Sequence, residues 1–127
     1  MTAVAVIVAL VAGAVGALVR WRVTQVFADR PARLPWAVLI LNAIGSLIGG
    51  VLLGLSDAGV VSADWRLILL SGFCGGLTTF STMSVETIQL VLTGRTRAAA
   101  ASVALNLVLG LGLAALAWAV TRTLALA

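Results

Sequence analysis

Histidine, lysine and tyrosine are missing from the 127 residues, cysteine occurs once, proline twice and carboxylates four times. Without histidine the chain lacks the commonest metal ligand and general base. A lone cysteine, Cys74, excludes an internal disulfide framework and a cysteine-based zinc site. The carboxylates are Asp29, Asp57, Asp64 and Glu86, and only Glu86 lies near an apolar run. Catalysis is poorly supplied, and the chain is expected not to be an enzyme. Charged residues make up 9% and hydrophobic residues 62%, where a soluble domain carries about 25% and about 45–50%. That balance excludes an ordinary water-soluble domain, and it excludes disorder, which needs low hydrophobicity. The net charge of +4 comes from eight arginines set in short gaps between apolar runs. A nucleic-acid footprint needs clustering on a polar face, so the charge reads as membrane orientation and no nucleic-acid partner is expected.

What is present is apolar length. Charge-free stretches cover residues 1–19, 34–56, 67–85 and 98–121. Each has about 19 or more residues, enough for a helix across roughly 30 Å of hydrocarbon. Four transmembrane helices therefore fill nearly the whole chain, giving an all-α membrane protein that is a single unit over residues 1–127. The first stretch carries no basic side chain at its start and runs into Arg20-Trp21-Arg22, so it is expected to stay as a helix and not to act as a signal peptide.

The connections are short. Residues 29–35, Asp-Arg-Pro-Ala-Arg-Leu-Pro, hold both prolines and form a turn between helices 1 and 2. Ser56-Asp57-Ala58-Gly59 ends helix 2, Ser62 offers an N-cap before helix 3, and Thr93-Gly94-Arg95 ends helix 3. Trp21, Trp36, Trp65 and Trp118 all fall near span ends, where indole favours the membrane interface. The 1–2 and 3–4 connections hold Arg20, Arg22, Arg30, Arg33, Arg95 and Arg97, against Arg66 and Arg122 on the opposite side. That bias puts both termini outside.

Glycine numbers thirteen. Gly45 and Gly49, and Gly50 and Gly54, are spaced by four in helix 2; Gly13 and Gly16 lie in helix 1, Gly110 and Gly112 in helix 4. Small residues at such spacing let backbones approach closely in lipid. They serve packing within one subunit or self-association of a chain too small to enclose a polar route alone.

The third span is the least lipid-like. From Ser71 to Glu86 it reads Ser-Gly-Phe-Cys-Gly-Gly-Leu-Thr-Thr-Phe-Ser-Thr-Met-Ser-Val-Glu. Gly75-Gly76 followed by Thr78-Thr79 predicts a helix broken over 75–79. Broken backbone at membrane depth is tolerated only where protein or water covers it, and its freed carbonyls suit a hard cation. Beyond it, Phe80, Met83, Ser84 and Thr87 share one helical face, with Thr79, Thr82 and Glu86 beside it. Asn42 in helix 2 and the stripe Ser102, Asn106 and Gly110 in helix 4 add polar marks. Each asparagine alone could be interhelical glue. Together with the third span they read as the lining of a narrow polar route. Amides and hydroxyls are donors, no arginine sits mid-span, and Arg20 lies near the mouth, so the route suits an anion. Arg20 could also be a plain interfacial anchor.

These residues closely resemble the Fluc (CrcB) family of fluoride channels over essentially the whole chain. The resemblance rests on Gly-Ala-Leu-Val-Arg20-Trp21, on Asn42-Ala-Ile-Gly45, and on Gly72-Phe-Cys-Gly-Gly-Leu-Thr-Thr-Phe-Ser-Thr82 with Ser84-Val-Glu86 following Met83. Helix 4 matches more weakly, through Ser102 and Asn106. The resemblance implies an antiparallel, dual-topology dimer with two fluoride pores, passive fluoride export that relieves fluoride toxicity, and a place in the inner (plasma) membrane. It implies a structural sodium ion (Na+) on the dimer axis, held by backbone carbonyls of Gly75 and Thr78 from both subunits. It also implies pore roles for Phe80, Asn42 and position 83, a vestibule role for Arg20, and polar-track roles for Thr82, Ser102 and Asn106. A phenyl ring presents a positive edge to an anion. The second pore phenylalanine of the family is Met83 here, which has no such edge. The arginine bias leaves two partners open, a second copy or an oppositely oriented homologue. The rival reading, a small multidrug-type exporter, needs a carboxylate in the first helix, and residues 1–19 contain none.

Overall fold

A computed structural model describes residues 2–29 and 34–127. Arg30, Pro31, Ala32 and Arg33, in the expected first turn, lie outside the described residues, as does Met1. The described chain is helical, without strands. Helix α1 spans Ala3–Ala28 and α2 spans Trp36–Asp57. Helix α3 covers 63–77: an α-helical start at Ala63–Arg66, a π-helical run at Leu67–Cys74, and an α-helical end at Gly75–Leu77. Helix α4 spans Phe80–Leu92 and α5 spans Thr96–Leu126. α1, α2, the stretch Ala63–Leu92 and α5 are each long and apolar enough to cross a membrane. The protein is a multi-pass membrane protein.

Caps and turns follow local chemistry. Thr2 accepts from the Ala5 N–H, and Ser62 from the Trp65 N–H, as N-caps of α1 and α3. After α2 and α4 the chain reverses at Gly59 and Gly94, with φ of 76° and 77°. That left-handed backbone is one glycine adopts without a Cβ penalty. Trp118 donates its indole N–H to Asp57 Oδ2 at 2.8 Å, tying α5 to the end of α2.

Two helix pairs organise the molecule: α1 packs chiefly along α3, and α2 along α5. Glycine makes both contacts possible. A Cβ on Gly76 would overlap the Gly13 carbonyl oxygen, and one on Gly72 would lie 2.5 Å from the Ala9 carbonyl oxygen. In the second pair, a Cβ on Gly54 would sit 2.8 Å from the Trp118 carbonyl oxygen. These glycines therefore serve packing within the subunit. Gly112 meets nothing within 4 Å.

Gly75 and Gly76, expected to loosen the third span, are helical. The missing side chain of Gly76 serves the approach of α1, and that packing outweighs glycine's low helix propensity, whereas a Cβ on Gly75 would meet only the Leu70 oxygen at 3.9 Å. Thr78 (φ −83°, ψ 159°) and Thr79 (φ −151°, ψ 126°) are the extended residues. β-Branched threonine suits extended backbone, and Thr79 is also the N-cap of α4, its Oγ1 accepting from the Thr82 N–H at 3.1 Å.

Candidate functional site

Extending two residues inside a membrane span frees backbone groups that lipid cannot satisfy. Three of them, the Thr79 N–H and the carbonyls of Thr78 and Thr79, find partners on other helices. The Thr79 N–H donates to Asn42 Oδ1 at 2.9 Å, and Asn42 Nδ2 donates back to the Thr79 carbonyl at 3.1 Å. The carboxamide of α2 thus pairs with Thr79 as a neighbouring strand would. Asn42 Nδ2 also donates to Asn106 Oδ1 at 2.9 Å, and Asn106 Nδ2 donates to the Ser102 carbonyl at 2.9 Å. Both N–H groups of Asn42 are therefore engaged. On the other side, Arg20 Nη1 donates to the Thr78 carbonyl at 3.1 Å. The Thr78 N–H and Oγ1 both donate to the Cys74 carbonyl, each at 3.0 Å. Residues from α1 and α2 grip one two-residue joint, and Asn106 of α5 backs Asn42.

Three cavities surround that joint. One groove is lined by Asn42, Phe80, Met83 and Asn106, with Ser46, Thr78, Thr79, Leu107 and Gly110. Four of the pore candidates and the cation candidate Thr78 thus share one surface. Phe80 is 78% exposed whereas Met83 is buried, so the two are not equivalent: the ring stands clear of its own chain while the thioether is packed beneath it. A second chamber is lined by Arg20, Trp21, Thr24, Val38, Thr79 and Thr82. Thr79 lines both, so the joint is the wall between them. Its Oγ1 donates to Thr82 Oγ1 at 3.0 Å. A third, shallow groove is lined by Gly75, Thr78, Gly45, Gly49, Ser46 and Cys74, among others.

Ser102 lines none of the three. It is 1% exposed, and its Oγ has no hydrogen-bond partner among the described residues. Glu86 lies apart, in a cavity with Thr24, Gln89 and Trp36, and its Oε2 likewise has no partner. Among the described residues no cluster of three or more His, Cys, Asp or Glu could hold a metal ion. Thr79, the hub of the network, is placed by the sequence on the face beside Phe80 but given no individual role. Its signal was a capping one: a threonine followed three residues later by the polar Thr82 at the start of a helix.

The family described as "CrcB-like protein, Camphor Resistance (CrcB)" matches residues 7–118. A protein named Fluoride-specific ion channel FluC 1 from Yersinia pseudotuberculosis serotype I (strain IP32953) is 42% identical over 86 residues, covering 67% of this chain and 68% of the relative. Fluoride-specific ion channel FluC from Pseudomonas aeruginosa (strain UCBPP-PA14) is 39% identical over 83 residues, 65% of each chain. The protein of that name from Leptospira interrogans serovar copenhageni is 40% identical over 84 residues, 65% of this chain and 66% of its own. The family match takes in all four spans and the joint at Thr78–Thr79 with the helices that hold it, and on that ground this chain belongs to the CrcB family.

Proposed function

We propose that the chain is a subunit of a fluoride channel of the inner membrane, passing fluoride passively and so relieving its toxicity. The observation that carries the reading is the 42% identity to a protein named as a fluoride-specific ion channel. It is a transport protein and not an enzyme. The geometry supports the reading on three counts. An anion leaving water needs replacement donors, and the Arg20 chamber offers a guanidinium with the Thr82 hydroxyl, which accepts from Thr79 and keeps its own O–H to give. Past the Thr79 wall, the Phe80 ring is free to turn its positive edge toward an anion. The Thr79 wall between the two chambers is held by hydrogen-bonded backbone, a fixed lining of the kind by which pores discriminate on size. A membrane potential negative inside drives an anion outward by about 2.3 kcal/mol per 100 mV, so no coupling ion is required.

The subunit works in an antiparallel dimer with two pores, paired with a second copy or an oppositely oriented homologue. The exposed Phe80 supports this, because a ring standing clear of its own chain lacks a second wall. The axial sodium ion fits the donor chemistry. In a continuous helix the Thr79 N–H would go to the Gly75 carbonyl, yet it goes to Asn42, so Gly75 keeps an oxygen without that partner. The Thr78 carbonyl takes one N–H from Arg20 and has a second lone pair. Such oxygens suit a hard cation. One chain offers two of them, so the shell needs a partner's contribution. Bound there, the cation would tie the two joints together.

The test is fluoride efflux from liposomes holding the purified chain, read with a fluoride electrode in the presence of a potassium ionophore and no proton gradient. Fluoride efflux without chloride efflux is expected. Reconstituted protein that passes no fluoride would refute the reading.

A further inference from the structure

We infer that Arg20 is a positioning residue: it caps the carbonyl end of α3 through the Thr78 oxygen and thereby fixes the joint that sets Phe80. The inference rests on the channel reading above and adds a role distinct from attracting anions at a mouth.

The observations lie along one stripe of α1. Ala9, Gly13, Gly16 and Arg20 follow each other at spacings of four, three and four, on one helical face. The first three touch the backbone of α3. A Cβ on Gly72 would be 2.5 Å from the Ala9 oxygen, one on Gly76 would overlap the Gly13 oxygen, and one on Gly16 would lie 2.9 Å from the Leu77 nitrogen. Such contacts leave α3 no freedom to slide along α1. Arg20 is the next position on the stripe, and it meets α3 where the helix stops: Nη1 donates to the Thr78 carbonyl at 3.1 Å. The Arg20 backbone is set by α1 itself, and Thr24 Oγ1 donates to its carbonyl at 2.8 Å.

A helix end leaves carbonyls without partners and carries partial negative charge. At the end of α3, the Cys74 carbonyl takes the Thr78 N–H and hydroxyl, and the Thr79 N–H is diverted to Asn42. The guanidinium supplies both a donor and a positive charge to that end. Arg20 and Asn42 grip adjacent residues from opposite sides, Thr78 from α1 and Thr79 from α2. Phe80 is the next residue in the chain. Losing the Arg20 grip lets Thr78 rotate, and the ring follows.

A mouth charge and a cap differ in salt dependence. Attraction between exposed charges is screened over about 8 Å at physiological ionic strength, whereas a half-buried hydrogen bond is not. The experiment compares wild type, Arg20→Met and Arg20→Lys in lipid nanodiscs and liposomes. Hydrogen exchange is read on peptides spanning residues 78–82, and fluoride and chloride efflux at low and high salt. For Arg20→Met, exchange is expected to rise about tenfold or more, as loss of a charged hydrogen bond implies. Its fluoride flux should fall by the same factor at both salt concentrations, with lower fluoride-over-chloride preference. Arg20→Lys keeps a charged donor and should recover most of the protection. Wild-type exchange in Arg20→Met, or a flux deficit that disappears at high salt, would overturn the inference. So would an Arg20→Lys protein that is folded yet as unprotected as Arg20→Met. Wild-type protein that shows the exchange pattern but no fluoride flux would instead sink the channel reading, since exchange is measured without fluoride.

Discussion

Asn42→Ala is the sharpest test of the joint. The substitution removes three hydrogen bonds at once: from the Thr79 N–H, to the Thr79 carbonyl and to Asn106 Oδ1. Two of the groups left behind are backbone, at membrane depth, with no water to replace the amide. Hydrogen bonds between membrane helices are worth about 0.6 kcal/mol on average and about 1.7 at most. A buried group left unpaired costs about 1–3 kcal/mol. Three bonds then bracket the loss between roughly 2 and 5 kcal/mol. The assay is denaturant unfolding in detergent beside fluoride efflux from liposomes. Asn106→Ala is the graded control, because it removes one of the three bonds of Asn42 and leaves both contacts to Thr79. Its loss should be about 1–2 kcal/mol, with partial flux retained. Asn42→Ala within about 0.5 kcal/mol of wild type, the scatter of an uninvolved surface change, and with normal flux would refute the claim that this amide holds the joint.

Two further outcomes follow from packing and exposure. Gly76→Ala drives a methyl group into the Gly13 carbonyl and should cost about 1–3 kcal/mol. Gly112→Ala, with nothing within 4 Å, should be neutral or gain up to about 1 kcal/mol in helix propensity; the same unfolding assay reads both. Phe80→Ile removes the one exposed ring of the joint and should largely abolish fluoride efflux, whereas Met83→Phe should retain it. Unimpaired efflux in Phe80→Ile would remove that ring from the mechanism.

The spans were legible because membrane helices announce themselves by length without charge, and the turns at Gly59 and Gly94 because helix ends favour glycine there. The glycine pairs declared close packing, yet not its partner: that Gly50 and Gly54 face α5 while Gly72 and Gly76 face α1 depends on how the helices are arranged in space. In the third span the extended residues fall at the threonine end of the expected 75–79 stretch: Gly75 and Gly76 stay helical, Gly76 against α1, while Thr78 and Thr79 are extended and Thr79 caps the next helix. Among candidate residues, Asn42, Phe80, Met83 and Asn106 line one groove. The partners of Asn42 could not be read, since they are backbone groups, which leave no mark in a sequence. Ser102, chosen for its spacing from Asn106, turned inward.

The pairing of helices has a mechanical consequence. α1 and α3 meet backbone to backbone, as do α2 and α5, and contacts without intervening side chains have little to give. Each pair behaves as a stiff beam. The beams are fastened to each other at Thr78–Thr79, where Arg20 belongs to one and Asn42 to the other. The joint thus takes one grip from each pair, so a shift of one pair against the other would be felt at the residue beside Phe80.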